Sequence, residues 1–364
     1  MPTIYGAEGW DQYANAGPVQ AGIGYGAVSG GLNPSTISTS NDNFGRPGYT
    51  TAGILLPWHI DIGSNISEIY GAWWSNHNVN NADNLEQFLE FQDTETFDAG
   101  FMFCIKSFGG NGSVEILKTN ATAGSYTGLV EHVTTVRGSA GTHLYHSVNG
   151  PEWSHWEVYF KLHASTGEIR VWQNGQTVWH RAGFDTRGFA GATTFNRIHF
   201  AMGGSIPSTP VADMIFSDTR VGRHEIRPLR PNAAGSNSAW TAVGTGSANY
   251  DRVDEGNAPD DTTTYVHTAT AANIDSYNCE TYTLGSTEEI IAVGVNARVR
   301  ANRANTLKAR LRISDGTTVV NSADFVPPQG NWRHKKEYYT LAPDGGAWDQ
   351  TDLNNLQIGI ESRA

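Results

Sequence analysis

The chain has 364 residues, more than one hydrophobic core usually organises, so two domains are expected. Hydrophobic residues make up 38% and charged residues 16%, beside 41 glycines, 11 tryptophans, 14 tyrosines and 14 phenylalanines; this is the vocabulary of strands and turns and argues against an all-helical fold. A net charge of −12 repels nucleic acid and anionic lipid from the chain as a whole, so no nucleic-acid partner is expected.

The opening Met1-Pro2-Thr3-Ile4-Tyr5-Gly6 has no basic or apolar region of a signal peptide, and no apolar run approaches the ~20 residues of a membrane span. Membrane insertion is therefore not expected. Cys104 and Cys279 stand far apart, which predicts neither a disulfide framework nor a zinc cluster and fits folding in a cytoplasm.

In chain order, residues 18–48 are rich in Gly, Ser, Asn and Thr and read either as a long loop or as an arm ordered by a partner. Within them, Gly22-Ile-Gly24-Tyr-Gly26 lacks the Lys-Ser/Thr of a phosphate loop. β-prone runs bounded by glycine-rich turns follow: Thr51–Leu56, Glu68–Trp74, Gly100–Ile105, Ser113–Lys118, Trp156–His163, Gly167–Gln173, Thr193–Met202 and Met214–Ser217. Asn84–Phe91 reads as a helix or as a strand. Pro228, Pro231 and the segment Asn232–Ser238 interrupt the pattern, so 228–238 is predicted to be a linker between domains at 1–227 and 239–364. Strand-like runs resume at Glu289–Arg300, Thr306–Ser314, Thr317–Asn321, Glu337–Leu341 and Leu356–Ile360. The fold class is all-β, with two packed sheets per domain.

The clearest local prediction is a hairpin. Asn174-Gly175 suits a type I′ turn, whose two central residues both need φ > 0. A two-residue loop sets Gln173 opposite Gln176, Val171 opposite Val178 and Arg170 opposite Trp179. Ile169, Val171 and Val178 then face the core, while Arg170, Trp172, Trp179 and Arg181 share the other side. Upstream, Trp156, Val158, Phe160 and Leu162 alternate with Glu157, Tyr159, Lys161 and His163, the pattern of a half-buried strand.

These late strands, Trp156-Glu-Val-Tyr-Phe-Lys-Leu and then Gly167-Glu-Ile-Arg-Val-Trp-Gln-Asn174-Gly175, resemble those of concanavalin A-like, laminin-G-like jelly rolls. More narrowly, the chain is similar to structural proteins of tailed bacteriophages. The opening Ala7-Glu8-Gly9-Trp10-Asp11-Gln12-Tyr13 would begin such a jelly roll, and Asp218-Thr219-Arg220-Val221-Gly222 would close it. Tyr250-Asp-Arg-Val-Asp254-Glu255, Asp260-Asp261-Thr-Thr-Thr-Tyr265-Val266 and the terminal Trp348–Gly359 stretch fit the second β-domain. The resemblance implies an N-terminal jelly roll followed by a smaller β-sandwich. It also implies a virion structural protein in a tail, fibre or head-attached appendage, assembled in the bacterial host cytoplasm. Other virion proteins and copies of the chain, on analogy a trimer, would be its partners, and a host surface polysaccharide its ligand. Calcium is common in lectins of this fold, and Asp213 and Asp218 are the acids it would draw on; a single acid in Ala212-Asp213-Met214 departs from the relatives' paired-acid strand.

Reactive sets are sparse. Glu90, Asp93 and Glu95 are the nearest approach to the carboxylates of a jelly-roll glucanase, but a regular strand puts Glu90 on the face opposite the other two. No Gly-x-Ser-x-Gly elbow is present, and His143 and His146 point to opposite sides of a strand. The expectation is a protein without catalytic residues, cofactor or bound metal; a depolymerase built on Glu90, Asp93 or Glu95 and a free lectin module are the alternatives. Two features could carry binding. Tyr159, Arg170, Trp172, Trp179 and Arg181 form an aromatic and basic set that suits a glycan, a subunit interface or plain sheet packing. In the second domain, pairing of the runs at 291–299 and 307–313 would align Arg298, Arg300, Lys308, Arg310 and Arg312 on one face, toward an acidic partner or as a guard against sheet association.

Overall fold

A computed structural model describes residues 2–8, 36–41, 47–50, 58–77, 84–92, 101–108, 111–119, 126–134, 152–187, 191–201, 211–255, 260–302 and 307–364. They fall into two compact units, a first that takes in nearly all described residues from Tyr5 to Ile226 and a second made of Arg227–Ala364 together with the N-terminal residues up to Ile4. No helix among the described residues is long and apolar enough to cross a membrane.

The first unit begins with β1 (Ile4–Glu8), β2 (Thr36–Asn41), β3 (Pro47–Thr50), β4 (Trp58–Ile66) and β5 (Glu68–His77). Next come β6 (Asn84–Gln92), β7 (Phe101–Phe108), β8 (Asn111–Thr119) and β9 (Tyr126–Thr134). It closes with β10 (Glu152–Lys161), β11 (Gly167–Gln173), β12 (Gln176–Phe184), β13 (Phe195–Ala201) and β14 (Val211–Ser217). One sheet runs β12-β11-β10-β5-β14-β3-β2, with β1 also on β14; the other runs β4-β13-β6-β7-β8-β9. Their faces meet through rings. Phe91 of β6 lies 4.8 Å from Phe160 of β10 and 5.1 Å from Phe195 of β13. This is an antiparallel jelly-roll sandwich, and Asn84–Phe91 is strand in it.

Alternation on β10 decides the core. Trp156, Val158 and Phe160 are buried against β5, with Trp156 opposite the equally buried Trp73. Each such side chain contributes roughly 1.5–3 kcal/mol relative to exposure. Gly71 of β5 is required by close approach: a Cβ there would stand 2.7 Å from the Phe216 ring of β14.

The hairpin turn forms where predicted, with Asn174 at φ 49° and Gly175 at φ 80°. Its register does not persist. Gln173 opposes Gln176 and Trp172 opposes Thr177, but Val178 is an extra residue in a bulge, so Val171 opposes Trp179 and Arg170 opposes His180. A one-residue slip exchanges the faces of everything beyond it. Trp179 therefore turns inward and is buried, and the expected Arg170–Trp179 pair does not exist.

In the second unit the strands are β15 (Pro231–Ser238), β16 (Thr241–Val243), β17 (Tyr265–His267) and β18 (Ile274–Cys279). After them come β19 (Val293–Val299), β20 (Lys308–Ser314), β21 (Val319–Asn321), β22 (Arg333–Tyr339) and β23 (Gln357–Arg363). The segment predicted as a linker is thus mostly an edge strand: β15 pairs with β18 in the sheet β15-β18-β23-β20-β21. Pro231 is tolerated because it opens an edge strand. The β19–β22 ladder supplies the opposing layer, and Val295, Val299, Leu311, Ile313, Tyr339 and Ile360 bury their side chains in one cluster with Trp348. The indole N–H of Trp348 donates to the Tyr339 carbonyl at 2.9 Å. A six-residue helix, Gln350–Asn355, is capped by Asp349, whose side chain accepts from the Thr351 and Asp352 amides.

Candidate functional site

The outward face of the β5–β10–β11 sheet carries the chemistry of the first unit. On β10 the positions between the core residues are His155, Glu157 and Tyr159, opposite Trp74, Ala72 and Tyr70 of β5. Trp172 and Arg170 of β11 stand beside Glu157 and Tyr159. The segment after β14 returns across this face, bringing Arg220, Val221, Gly222, Arg223 and His224 to it.

Between that segment and the β11–β12 turn lies an open cleft of about 460 Å³, lined by Trp74, His155, Glu157, Asn174, Gly175, Arg220, Val221, Gly222 and Arg223. Its volume suits a small ligand or a few sugar units. The lining residues Trp74, His155 and Glu157 are buried, whereas Asn174, Gly175, Arg220 and Arg223 are exposed.

Three sets of contacts hold these groups. Arg220 grips Glu157 with both ends of its fork, Nε to Oε2 at 2.7 Å and Nη2 to Oε1 at 2.8 Å. Its guanidinium also covers the Trp172 ring at 4.3 Å, and that of Arg223 covers Trp74 at 4.8 Å. The Trp74 indole N–H donates to the His224 carbonyl at 2.9 Å. His224 Nε2 donates to the Asp213 carbonyl at 2.5 Å, while its Nδ1 lies 3.3 Å from His155 Nε2. Finally, Asn174 Oδ1 accepts from the His155 backbone N–H at 3.0 Å, tying the turn to the site.

Burial, with the charges of His224, Arg223 and Arg220 adding to it, pushes His155 down to about 3, so its imidazole is neutral at physiological pH. The hydrogen bond to Glu157 raises the Arg220 guanidinium further above its usual range. Beside the cleft, Tyr159 donates to Glu68 Oε2 at 2.7 Å and stacks on Tyr70 at 4.5 Å; burial and Glu68 push its phenol up strongly.

Of the five aromatic and basic candidates on the hairpin, Tyr159, Arg170 and Trp172 share this outer face. Trp179 is in the core, and exposed Arg181 stands opposite Ile169 with its guanidinium 4.6 Å from the Phe184 ring. The five basic candidates of the second unit do not form one face, because β19 and β20 are not neighbours: β19 pairs with β22, and β20 lies between β21 and β23. Arg298 is held by Asp261 at 2.5 and 2.7 Å, and Arg310 by Glu361 at 3.0 and 2.8 Å. Arg300 covers the Trp332 ring at 4.8 Å, Arg312 is buried, and Lys308 is exposed.

The carboxyl groups of Glu90, Asp93 and Glu95, the rings of His143 and His146, and 22–26 lie outside the described residues, as does most of 18–48. Asp213 is buried at φ 49° within the irregular part of β14. Among the described residues no group of three or more His, Cys, Asp and Glu is arranged to hold a metal ion. Cys279 is a free thiol pushed up to about 12 by burial.

Sequence reasoning missed the cleft itself. The available signal was the ionisable pair His155 and Glu157 on the polar side of a tryptophan-flanked strand, together with the run Arg220-Val221-Gly222-Arg223-His224.

No family model matches the chain, and no curated protein matches it. Among solved structures, the CBM2 module of the evolved Dit protein of Lactobacillus casei BL23 phage J-1 aligns with a TM-score of 0.38 at 10% identity, covering 61% of this chain and 98% of the module. Alginate lyase Aly36B aligns at 0.33 and 16% identity, over 60% of this chain and 98% of the enzyme. The globular domain of T. cruzi calreticulin aligns at 0.34 and 8% identity, over 60% and 89%.

Proposed function

We propose that the chain is a structural protein of a tailed-phage-like particle, part of a tail, fibre or head-attached appendage, whose jelly-roll unit binds a surface polysaccharide without cleaving it. The observation that carries the binding half is the cleft between the β11–β12 turn and residues 220–223. Buried Trp74, His155 and Glu157 lie among its lining, and Arg220, Arg223 and Asn174 are exposed there. Rigid strands hold the buried groups, and the bidentate Arg220–Glu157 pair fixes the returning segment against them, so such a site would cost little ordering on binding. The particle half is supported by the resemblance of the Trp156–Gly175 strands and of the closing Asp218–Gly222 segment to phage structural proteins. A chain of low charge and high aromatic content also suits permanent assembly. Other particle proteins and further copies of this chain are its proposed partners, and the virion its proposed location.

The pairing inside the cleft favours binding over hydrolysis. A glycosidase needs one carboxyl group to hold a proton and a second carboxylate across the scissile bond. Among the described residues Glu157 is the single acid lining the cleft, and it is engaged by Arg220 on both oxygens.

The test incubates the purified chain with a panel of bacterial capsular and wall polysaccharides, following retention and chain length together. Retention at constant chain length is expected. Shortened chains would overturn the non-enzymatic reading. Gold-labelled antibody on intact particles, expected at one defined position, checks the structural half.

A further inference from the structure

The same cleft carries a charge that its own residues do not balance. The negative charge of Glu157 is matched by Arg220 through two hydrogen bonds. His155 is neutral at physiological pH. Arg223 remains: it is exposed at the cleft, sits 4.8 Å above the Trp74 ring, and has no carboxylate partner among the described residues. Asn174 adds a donor, since its Oδ1 is used by the His155 amide while its side-chain N–H₂ has no partner among the described residues.

The aromatic rings here are not platforms for a neutral sugar. Trp74 is 2% exposed and Trp172 5%, and each has a guanidinium over its ring. A ligand entering the cleft meets fixed guanidinium groups and an amide donor. A neutral pyranose would leave the Arg223 charge unanswered, whereas an oxyanion accepts from its fork through two charge-assisted hydrogen bonds.

We infer that the ligand of this cleft is an acidic polysaccharide, bound through a carboxylate, sulfate ester or phosphate ester that pairs with Arg223 and accepts from Asn174. The inference rests on the proposed glycan-binding role and narrows it to one chemical class. The chain's charge of −12 opposes unspecific adsorption of a polyanion, so retention of one requires a local site.

The test is an array of defined oligosaccharides bearing uronate, sulfate, phosphate or no charge, probed with the full chain and with Arg223→Ala, Arg223→Lys and Lys308→Ala. Binding is expected on acidic glycans alone, and which of the three anions responds identifies the source. Arg223→Ala should bind about tenfold more weakly. Arg223→Lys keeps the charge but loses the fork and should fall between. Lys308→Ala, an exposed cation in the other unit, should bind as the parent does. Unchanged thermal melting of Arg223→Ala shows that the fold survives. Binding to neutral glycans alone, or acidic binding indifferent to Arg223→Ala, overturns the inference and leaves the glycan-binding role standing. Binding to no glycan on the array overturns both.

Discussion

The two units use the same three groups, a carboxylate, a guanidinium and an indole, in different arrangements. In the second unit Glu361 is met by both Arg310 and Arg363 at 2.8 Å, Arg298 has Asp261, and Lys335 has Glu337 at 3.4 Å. In the cleft of the first unit the single lining acid among the described residues, Glu157, has both oxygens taken by Arg220, and the second arginine there, Arg223, has no carboxylate partner among the described residues. The arginine-over-tryptophan arrangement occurs in both units, as Arg223 on Trp74 and Arg300 on Trp332, so it does not by itself mark a site. A surplus cation at an open cleft does.

The coarsest way to break this comparison is to cut each core. Phe160→Ala should destabilise the first unit by about 3–5 kcal/mol, and Leu311→Ala the second by about 2–5 kcal/mol. Amide hydrogen exchange should show each loss of protection confined to its own unit. Loss spreading equally through both would mean that they do not act as separate folding units.

The ion pairs come next. Glu157→Gln and Glu361→Gln should each cost about 1–3 kcal/mol in denaturant unfolding, because both acids are buried while their arginines keep access to water. They should part in binding. Glu157→Gln adds one unit of positive charge to the cleft and should strengthen retention of acidic glycans, and Glu361→Gln should leave it unchanged. Equal effects would erase the distinction between the units.

Acid should act on both alike. Burial holds His155 and His334 down at about 3, against 6.5 when unfolded. Below 6.5 the unfolded chain takes up protons that the folded chain refuses, so this stability is complete above about pH 6.5 and is lost progressively as pH falls toward 3. Melting temperature against pH should show that decline, and His155→Gln or His334→Gln should flatten it. A profile as steep in the double variant as in the parent would refute the assignment.

Smallest are two local changes of similar size. Gly175→Ala meets open space but must hold φ 80°, and Asp349→Ala removes the helix cap; each should cost about 1 kcal/mol by chemical denaturation. A glycine effect near zero would mean that the turn relaxes and does not fix the cleft wall.

Sequence reading succeeded where local chemistry decides the outcome. The Trp156, Val158, Phe160 alternation and the Asn174-Gly175 turn are short-range signals, and both appear as expected. It failed where pairing partners decide. The bulge at Val178 depends on how β12 lies on β11, and it reversed the face of Trp179. The polar segment Pro231–Ser238 looks like a linker until β18 offers it an edge. Alternation suggested one basic face for the second unit, but β19 pairs with β22 while β20 lies between β21 and β23, Arg300 falls past the end of β19, and Arg312 is buried. The cleft is assembled from Trp74, His155, Asn174 and Arg220, positions that only the tertiary fold brings together.

The most direct test of a cleft with one unbalanced cation is hydrogen exchange of the intact protein with and without a saturating acidic polysaccharide that the array identifies. The account predicts added protection at the amides of Asn174, Gly175 and 221–223, with the second unit unchanged. Protection appearing instead on β19, β20 or β22 would contradict it, and would move the binding surface to the second unit.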